Sequence, residues 1–375
     1  MTSTRLVTAL ITGLVASAFA TPCYAGWTLT DLGTLGGISS VAYGMNNVGQ
    51  VVGYSLRADG KPYPFITVGG QMTAYGSANG GAVAVNDLGQ GAGNTLSNDQ
   101  TAMDSSLIVG NVTTDLGRLG GTYATSKAIN SQAQVIGYAH LASGFDHAFV
   151  ATAAGMTDLG TLSGGTNSYA NAINASGEIV GNSYYSNYTV HGFIAHAGVS
   201  GLVDIGTLGG PNCFPNAIND AGQVVGVSSN GKSSHAFLYD GKNMTDLGTL
   251  GGTSSDAIGI NKFGQIIGYS KTASGAQHGF LYSGRSMIDL GTLGGTLTTP
   301  LAINANAQVI GSSTLANGTK HAFFYSNGVM TDLETAVPGL SNININWLYL
   351  NDAGQIAGSG TINGNQHAFL LTPTP

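Results

Sequence analysis

Hydrophobic residues along the chain fall into short runs that recur in sets of four. Between positions 254 and 293, for example, the runs cover 257–261, 265–269, 278–282 and 287–290. These runs are rich in residues that favour strands. The connections 261–264 and 283–286 have the length that joins antiparallel neighbours, so this stretch predicts a four-stranded β-meander.

Two motifs indicate that the same unit fills nearly the whole chain. Asp-Leu-Gly-Thr-Leu-Gly-Gly occurs almost verbatim six times, starting at Asp31, Asp115, Asp158, Asp204, Asp246 and Asp289. A second motif, Asn-x-x-(Gly/Ala)-(Gln/Glu), begins at Asn46, Asn86, Asn130, Asn174, Asn219, Asn261, Asn304 and Asn351, and these asparagines number units one to eight. A period of about 43 residues is typical of solenoids, propellers and arrays, and it leaves no room for a second domain.

The size of the residues in the third run favours sheets that pack face to face. In six units a Phe follows Ala or Gly there, and neighbouring strand residues point to opposite faces, so a large side chain nests over a small one. One meander cannot bury both faces, whereas eight in a closed ring can. The sequence therefore predicts an all-β, eight-bladed β-propeller of four-stranded antiparallel blades. An open β-solenoid is the alternative.

The two ends of the array predict how such a ring closes. The array begins with a fourth-strand segment, 27–35, and finishes with a third-strand segment, 366–371. We expect the N-terminal strand to join the C-terminal blade and complete its sheet.

The turn after each repeated Asn places Gly at a position that favours the left-handed conformation, because Gly has no Cβ to clash there. Units three and seven carry Ala133 and Ala307 instead. We expect these two turns to differ locally from the others.

Histidine and aspartate recur at fixed positions in the third and fourth runs, with the Asp eleven residues after the His in four units. Cross-strand neighbours at these positions predict a structural hydrogen bond in each blade. The predicted pairs are His147 with Asp158, His235 with Asp246, His278 with Asp289, His321 with Asp332 and, across the two ends of the chain, His367 with Asp31. Equivalent residues of adjacent blades lie about 10 Å apart, too far to share one metal ion, so we expect no metal and no cofactor.

The first residues have the layout of a secretory signal. Arg5 precedes an apolar run that ends in small residues, so we expect a signal peptide at 1–25 and a single propeller domain at 26–375. Cleavage after Ala25 leaves only Cys213, whereas cleavage after Ala20 leaves Cys23 and Cys213 able to pair. The mature protein is expected to be secreted, either extracellular or periplasmic.

Charge and hydropathy exclude some partners. The chain has 11 basic and 18 acidic residues and a formal net charge of -7, with no run of Lys or Arg to neutralise phosphates, so nucleic acid is not expected as a partner. No apolar stretch after the signal reaches the ~18–20 residues that cross a bilayer. We expect a monomer without membrane insertion.

Ligand recognition is predicted on the variable loops between the second and third strands, because variable loops on a rigid scaffold commonly bind ligands. The cluster Tyr184, Tyr185 and Tyr188 offers flat amphipathic surfaces suited to a sugar or a protein partner. The full candidate set is Arg57, Lys61, Tyr184, Tyr185, Tyr188, Lys232, Lys271 and Lys320. The alternative is that these loops are merely solvated.

No catalytic residues are predicted. The only glutamates, Glu178 and Glu334, lie four units apart, whereas a glycosidase needs two carboxylates within about 5–10 Å. The sequence favours a secreted, non-enzymatic protein that binds a polysaccharide or a protein. The alternative is an extracellular glycan hydrolase or lyase, which requires a cluster of unrepeated ionisable side chains at the mouth of the central channel.

The repeated His-(Ala/Gly)-Phe, Asp-Leu-Gly-Thr-Leu-Gly-Gly and Ala-Ile-Asn-x-x-Gly-Gln-Val-Val-Gly resemble the bacterial extracellular repeats known as the HAF family. The resemblance covers residues 27–371 and is weakest in unit two, where 105–109 replace His-Ala-Phe. It implies a secreted or surface protein of bacterial origin and brings no established activity.

Overall fold

The computed structural model describes residues 26–76, 80–97, 101–199 and 201–374. The predicted signal peptide and Cys23 lie outside these ranges. The described residues form 33 short strands and one short helix, which confirms the all-β prediction. Within the same ranges, none of the helical structure is long and apolar enough to span a membrane.

Four consecutive strands form each of the first units. Strand β1 is Gly26–Asp31 and stands before unit one. Unit one contains β2 (Ser40–Met45), β3 (Val51–Leu56), β4 (Pro62–Val68) and β5 (Gln71–Ala74). Unit two contains β6 (Gly80–Val85), β7 (Gln90–Leu96), β8 (Met103–Val109) and β9 (Val112–Gly117). Unit three contains β10 (Gly120–Ile129), β11 (Val135–Leu141), β12 (Asp146–Thr152) and β13 (Gly155–Gly160). Unit four contains β14 (Asn167–Ile173), β15 (Glu178–Tyr184), β16 (Val190–His196) and β17 (Val203–Asp204).

The later units follow the same plan until the last. Unit five contains β18 (Cys213–Ile218), β19 (Val224–Ser229), β20 (Ser234–Tyr239) and β21 (Met244–Asp246). Unit six contains β22 (Gly251–Ile260), β23 (Ile266–Thr272), β24 (Gln277–Ser283) and β25 (Ser286–Asp289). Unit seven contains β26 (Gly294–Ile303), β27 (Val309–Leu315), β28 (Lys320–Ser326) and β29 (Val329–Asp332), followed by helix α1 (Leu333–Ala336). Unit eight contains β30 (Leu340–Ser341), β31 (Tyr349–Leu350), β32 (Ile356–Ile362) and β33 (Asn365–Thr374).

Within units one to seven the four strands pair antiparallel with their neighbours in chain order. Unit eight is different, because its sheet has the order β1, β33, β32 and β30, with β31 also paired to β32. The first strand of this unit is therefore broken into two short pieces. Its fourth strand is β1, which runs antiparallel to β33 with Asp31 opposite Phe369.

The core is divided into clusters, each made by two consecutive units. The third-strand phenylalanines, Phe65 among them, are fully buried in these clusters, and each such ring contributes about 2–3 kcal/mol of transfer free energy. Unit eight packs on unit one in the same way, since Ala357, Ala368 and Leu370 share a cluster with Ala42 and Phe65.

The repeated asparagines join neighbouring units through buried hydrogen bonds. Each Asn Oδ1 accepts from the backbone N–H four residues later, as Asn46 does from Gln50 at 2.8 Å. Its Nδ2 donates to the Gln or Glu side chain at that position and also to the carbonyl oxygen of the next unit's Asn. The latter distances, from Asn46, Asn86, Asn130, Asn174, Asn219, Asn261, Asn304 and Asn351 in turn, are 2.9, 2.9, 3.2, 3.1, 3.1, 2.9, 2.9 and 3.4 Å. The last bond runs from Asn351 to Asn46.

The prediction that the turns with Ala133 and Ala307 differ locally was wrong. Both residues have φ of 57° and adopt the left-handed conformation that Gly takes elsewhere. Ala133 N lies 3.1 Å from Asn130 O, the same distance as Gly49 N from Asn46 O. The Asn side chain forms hydrogen bonds on both sides of the turn. These bonds outweigh the ~1–2 kcal/mol that a Cβ costs in the left-handed conformation.

Candidate functional site

The two edges of the sheets have different characters. The Asn turns and the connections between third and fourth strands lie at one edge, called here the short-turn edge, where the Asn bonds repeat in every unit. The opposite edge, called here the long-loop edge, carries the loops between second and third strands. Side chains that are not part of the repeat gather at the long-loop edge, which makes it the candidate functional site.

The repeated histidines contact aspartates at this edge. Distances from His Nδ1 to the nearer Asp oxygen are 2.9 Å for His147–Asp158, 2.8 Å for His235–Asp246, 2.8 Å for His278–Asp289, 2.8 Å for His321–Asp332 and 2.9 Å for His367–Asp31. Six of the repeated aspartates also accept from the Gly N–H two residues on, as Asp158 does from Gly160 at 2.7 Å. The same carboxylate therefore fixes the hairpin and the following turn.

Sequence reasoning missed two related contacts. His191 Nδ1 lies 2.7 Å from Asp204, although 13 residues separate them. The connection after β16 is longer, so a rule based on a spacing of eleven residues did not predict this pair. In unit two, where Asp104 takes the histidine's place, Arg118 Nε lies 2.9 Å from Asp104 Oδ1. A cation therefore still neutralises the carboxylate there.

The predicted ligand-binding residues do not form one cluster. Arg57 lies over the ring of Tyr63, 3.5 Å from its centroid, which is a cation–π contact within unit one. Within the described residues, no side-chain hydrogen bond or ion pair joins Lys61, Lys232, Lys271 or Lys320 to another group. Tyr188 is 92% exposed, while Tyr185 packs against His191 with ring centroids 5.4 Å apart. Of the predicted set, Tyr184 belongs to a larger arrangement.

That arrangement is a row of half-buried aromatic rings across units three and four, called here the tyrosine stripe: Tyr123, Tyr138, Tyr169 and Tyr184. Successive ring centroids are 6.2, 5.0 and 5.5 Å apart, and the pairs meet edge to face. His140 stacks on Tyr123 at 5.0 Å with an interplanar angle of 17°. Edge-to-face and stacked pairs at these distances hold each other in place.

A single carboxylate anchors the tyrosine stripe. Asp146 Oδ1 accepts from the Tyr123 hydroxyl at 2.7 Å and lies 2.8 Å from His140 Nδ1. Asp146 Oδ2 accepts from the Tyr169 hydroxyl at 3.0 Å. The backbone N–H of Asp146 donates to Asn167 Oδ1 at 2.8 Å, which ties the anchor to unit four. None of these residues follows the repeat, which is why periodicity could not find them.

The electrostatics of the anchor favour an ionised Asp146 and neutral tyrosines. Burial by itself raises the pKa of Asp146, but the hydrogen bonds from Tyr123, His140 and Tyr169 outweigh it and lower that pKa. Burial and the bond to Asp146 raise the pKa of Tyr123 to about 12 and also raise that of Tyr169. At neutral pH both hydroxyls therefore remain donors to a carboxylate.

A second unrepeated carboxylate lies between units five and six. Asp256 accepts from the Tyr269 hydroxyl at 3.0 Å and from Asn216 Nδ2 at 3.0 Å. Burial raises the pKa of Asp256 to about 6, against the lowering effect of these two bonds.

The raised pKa of Asp256 predicts that the stability of the protein depends on pH. Because the folded-state pKa of about 6 lies above the unfolded value of about 4, the stabilising contribution is complete below pH ~4 and is lost as the pH rises through 6. The Asp256→Asn variant has no ionisable side chain at this position and therefore lacks this pH-dependent contribution. We expect the unfolding free energy of the wild type, relative to that of the variant, to fall by about 2–3 kcal/mol between pH 4 and pH 7 in denaturant titrations.

The exposed Asp59→Asn variant serves as the control and should run parallel to the wild type. Parallel curves for wild type and Asp256→Asn over the same pH range would contradict the assignment.

Among the described residues, no group of three or more His, Cys, Asp or Glu side chains is placed to hold a metal ion. Cys213 is fully buried, and burial raises the pKa of its thiol to about 12.

Comparison with solved structures defines the class of scaffold. The chain is similar to the β-propeller domain of the Trilobed protease from Pyrococcus furiosus, which is described as having an open velcro topology, with a TM-score of 0.52, 10% identity, and 78% of this chain and 97% of that chain covered. It is also similar to a puromycin hydrolase, with a TM-score of 0.51, 8% identity and coverage of 86% and 58%. A structure from work on two prolyl endopeptidases gives a TM-score of 0.51, 10% identity and coverage of 76% and 49%.

These likenesses show the fold alone: the scaffold is that of β-propeller domains. The chain spans only 58% of the puromycin hydrolase chain and 49% of the prolyl endopeptidase chain. No protein-family model matches the chain, and no curated protein matches it.

Proposed function

We propose that this protein is a secreted, non-enzymatic binding protein that recognises a polysaccharide at the long-loop edge, with a protein partner as the alternative ligand. The observation that carries the proposal is the tyrosine stripe, held in place by Asp146. Tyrosine rings offer apolar faces to the sugar ring and hydroxyl groups to its polar rim, and rings that are already fixed lose little conformational entropy on binding.

The scaffold that we propose is a single domain, residues 26–375, forming a closed ring of eight blades. Similarity to solved propellers does not show that the ring is closed, because the trilobed protease propeller is described as open. Three contacts of this chain support closure: the pairing of β1 with β33, the bond from Ala368 N to Ser40 Oγ at 2.9 Å, and that from Ala42 N to Ser359 Oγ at 2.9 Å. We further propose that the chain belongs with the HAF repeats and is monomeric.

A glycan array with residues 26–375 tests the function. We expect binding to a limited set of glycans, and Tyr169→Ala or Tyr184→Ala should weaken it at least tenfold, since each removes a ring of the tyrosine stripe. Tyr282→Ala is the matched control, because Tyr282 lies at the short-turn end of β24. Absence of glycan binding, or equal loss in the control, would contradict a polysaccharide site at the stripe.

A glycan hydrolase or lyase is the second candidate, since His140 and Asp146 are unrepeated ionisable side chains in contact. The environment of Asp146 argues against it, because three hydrogen bonds already stabilise the ionised carboxylate and lower its pKa, which makes it a weak base. The raised pKa values of Tyr123 and Tyr169 also argue against an enzyme, because both hydroxyls keep their protons at neutral pH. Incubation with a bound glycan should release no new reducing ends or unsaturated products; release that His140→Gln abolishes would favour the enzyme.

A further inference from the structure

A cavity of ≈ 620 Å³ lies at the long-loop edge between units one and two. Its walls include Tyr43 and Tyr54 of unit one and Gly81, Leu96 and Met103 of unit two. We propose that this cavity binds an uncharged, largely apolar small molecule containing a ring. The site belongs to other units than the tyrosine stripe and does not depend on the proposed polysaccharide function.

The cavity exists because one position of the repeat has lost its side chain. Gly81 pairs with Asn94 in the strand register, and the equivalent residues of the other regular units all carry side chains. These equivalents are Val41, Thr125, Tyr169, Phe214, Asp256 and Thr299.

The backbone itself does not require glycine at this position. Gly81 is not among the glycines with positive φ. A Cβ built there would approach nothing closer than Tyr54 Cβ at 3.9 Å. The missing side chain therefore leaves open space, and neither the turn geometry nor a close backbone approach explains it.

The lining determines the class of ligand. Tyr43 and Tyr54 lie 5.5 Å apart between ring centroids, and Trp347 of unit eight meets Tyr43 edge-on at 4.9 Å. Leu96 and Met103 remain 41% and 39% exposed at the cavity wall. Among the residues that the structure describes, no charged side chain lines the cavity, so desolvating an ion there would be uncompensated, whereas an uncharged apolar ring would cover the exposed surface.

The size of the cavity and one polar group in its wall restrict the class of ligand further. Clefts of about 300–1,000 Å³ hold small organic molecules of drug-like size. Asn94 lies in the wall with its Oδ1 accepting from Ser126 N at 2.7 Å, which fixes the amide beside the apolar surface. We expect the ligand to have one polar group that faces this amide.

Titration with the neutral two-ring fluorophore N-phenyl-1-naphthylamine tests the proposal on residues 26–375. We expect saturable binding to one site per chain with enhanced fluorescence. Gly81→Phe places a phenyl ring in the cavity and should weaken binding at least tenfold, while Gly81→Ala should have a smaller effect. Met103→Asp puts a charge on the wall and should also weaken binding at least tenfold.

Thr299→Phe is the matched control, because it introduces the same ring at the equivalent position of unit seven, and it should bind the fluorophore as the wild type does. Thermal melts show whether Gly81→Phe folds. If this variant does not fold, the binding measured for Met103→Asp still tests the proposal. A wild type without saturable binding, or variants that bind as tightly as the wild type, would overturn the proposal.

Discussion

Deleting residues 27–35 from the mature chain is expected to lower the free energy of unfolding by more than about 4 kcal/mol, a large part of a typical domain's stability. The deletion removes nearly all of β1, whose backbone pairs with β33 from Gly26–Thr374 to Asp31–Phe369. It also removes Leu32 from the cluster between units eight and one, and Trp27 from its edge contact with Phe324 at 4.9 Å. Thermal and denaturant melts monitored by circular dichroism measure the loss.

A peptide provides the control for this deletion. Residues 26–35 added in trans should pair with the vacated edge of β33 and restore much of the lost thermal stability. A peptide of the same composition in scrambled order should not, because the alternation of Trp27, Thr28 and Leu29 places the first and last of these side chains against the core and the second in solvent. Melts of the truncated and full chains that coincide would contradict closure by the N-terminal strand.

Replacing one buried asparagine with aspartate is expected to cost about 3–5 kcal/mol. Asn304 is 3% exposed, and its Nδ2 donates to Gln308 Oε1 at 2.7 Å and to Asn351 O at 2.9 Å. Asn304→Asp removes both donors and directs a buried negative charge at two acceptor oxygens. The loss of stability should become smaller as the pH falls towards ~4, because burial raises the folded-state pKa of the new carboxyl above its unfolded value and the protonated carboxyl regains one donor.

Asn317→Asp is the matched control for this substitution. Asn317 lies in an exposed turn, where its Oδ1 accepts from Thr319 N at 2.9 Å, and an aspartate keeps that acceptor. We expect its unfolding free energy to stay within about 0.5 kcal/mol of the wild type. Equal losses for the two variants in urea titrations would show that the Asn bonds between units contribute little.

The two edges of the sheets differ in what stabilises them and in what they expose. The short-turn edge is stabilised by bonds that recur in each unit, and its polar groups are already satisfied within the protein. The long-loop edge combines repeated His–Asp contacts with the tyrosine stripe and the cavity at Gly81, which do not recur. We therefore propose the long-loop edge, and not the short-turn edge, as the place where a ligand binds.

Sequence periodicity predicted the features that depend on local register. The strand pattern, the turn positions and the burial of the third-strand phenylalanines all follow from one unit, because each unit meets nearly the same neighbours. The same logic places Asp31 beside His367, and their side chains lie 2.9 Å apart. It failed at Ala133, where Asn130 holds the turn, and it missed His191–Asp204, where the connection is longer by two residues.

The sequence by itself therefore determined the all-β repeat, its strands and the His–Asp pairs that recur from unit to unit. The tertiary structure alone decided the features that occur once. Tyr123, His140 and Tyr169 meet at Asp146 because the packing of two adjacent sheets brings unrelated positions together, and no spacing rule encodes that. The cavity at Gly81 likewise depends on the volumes of side chains from two facing sheets, which a linear pattern does not contain.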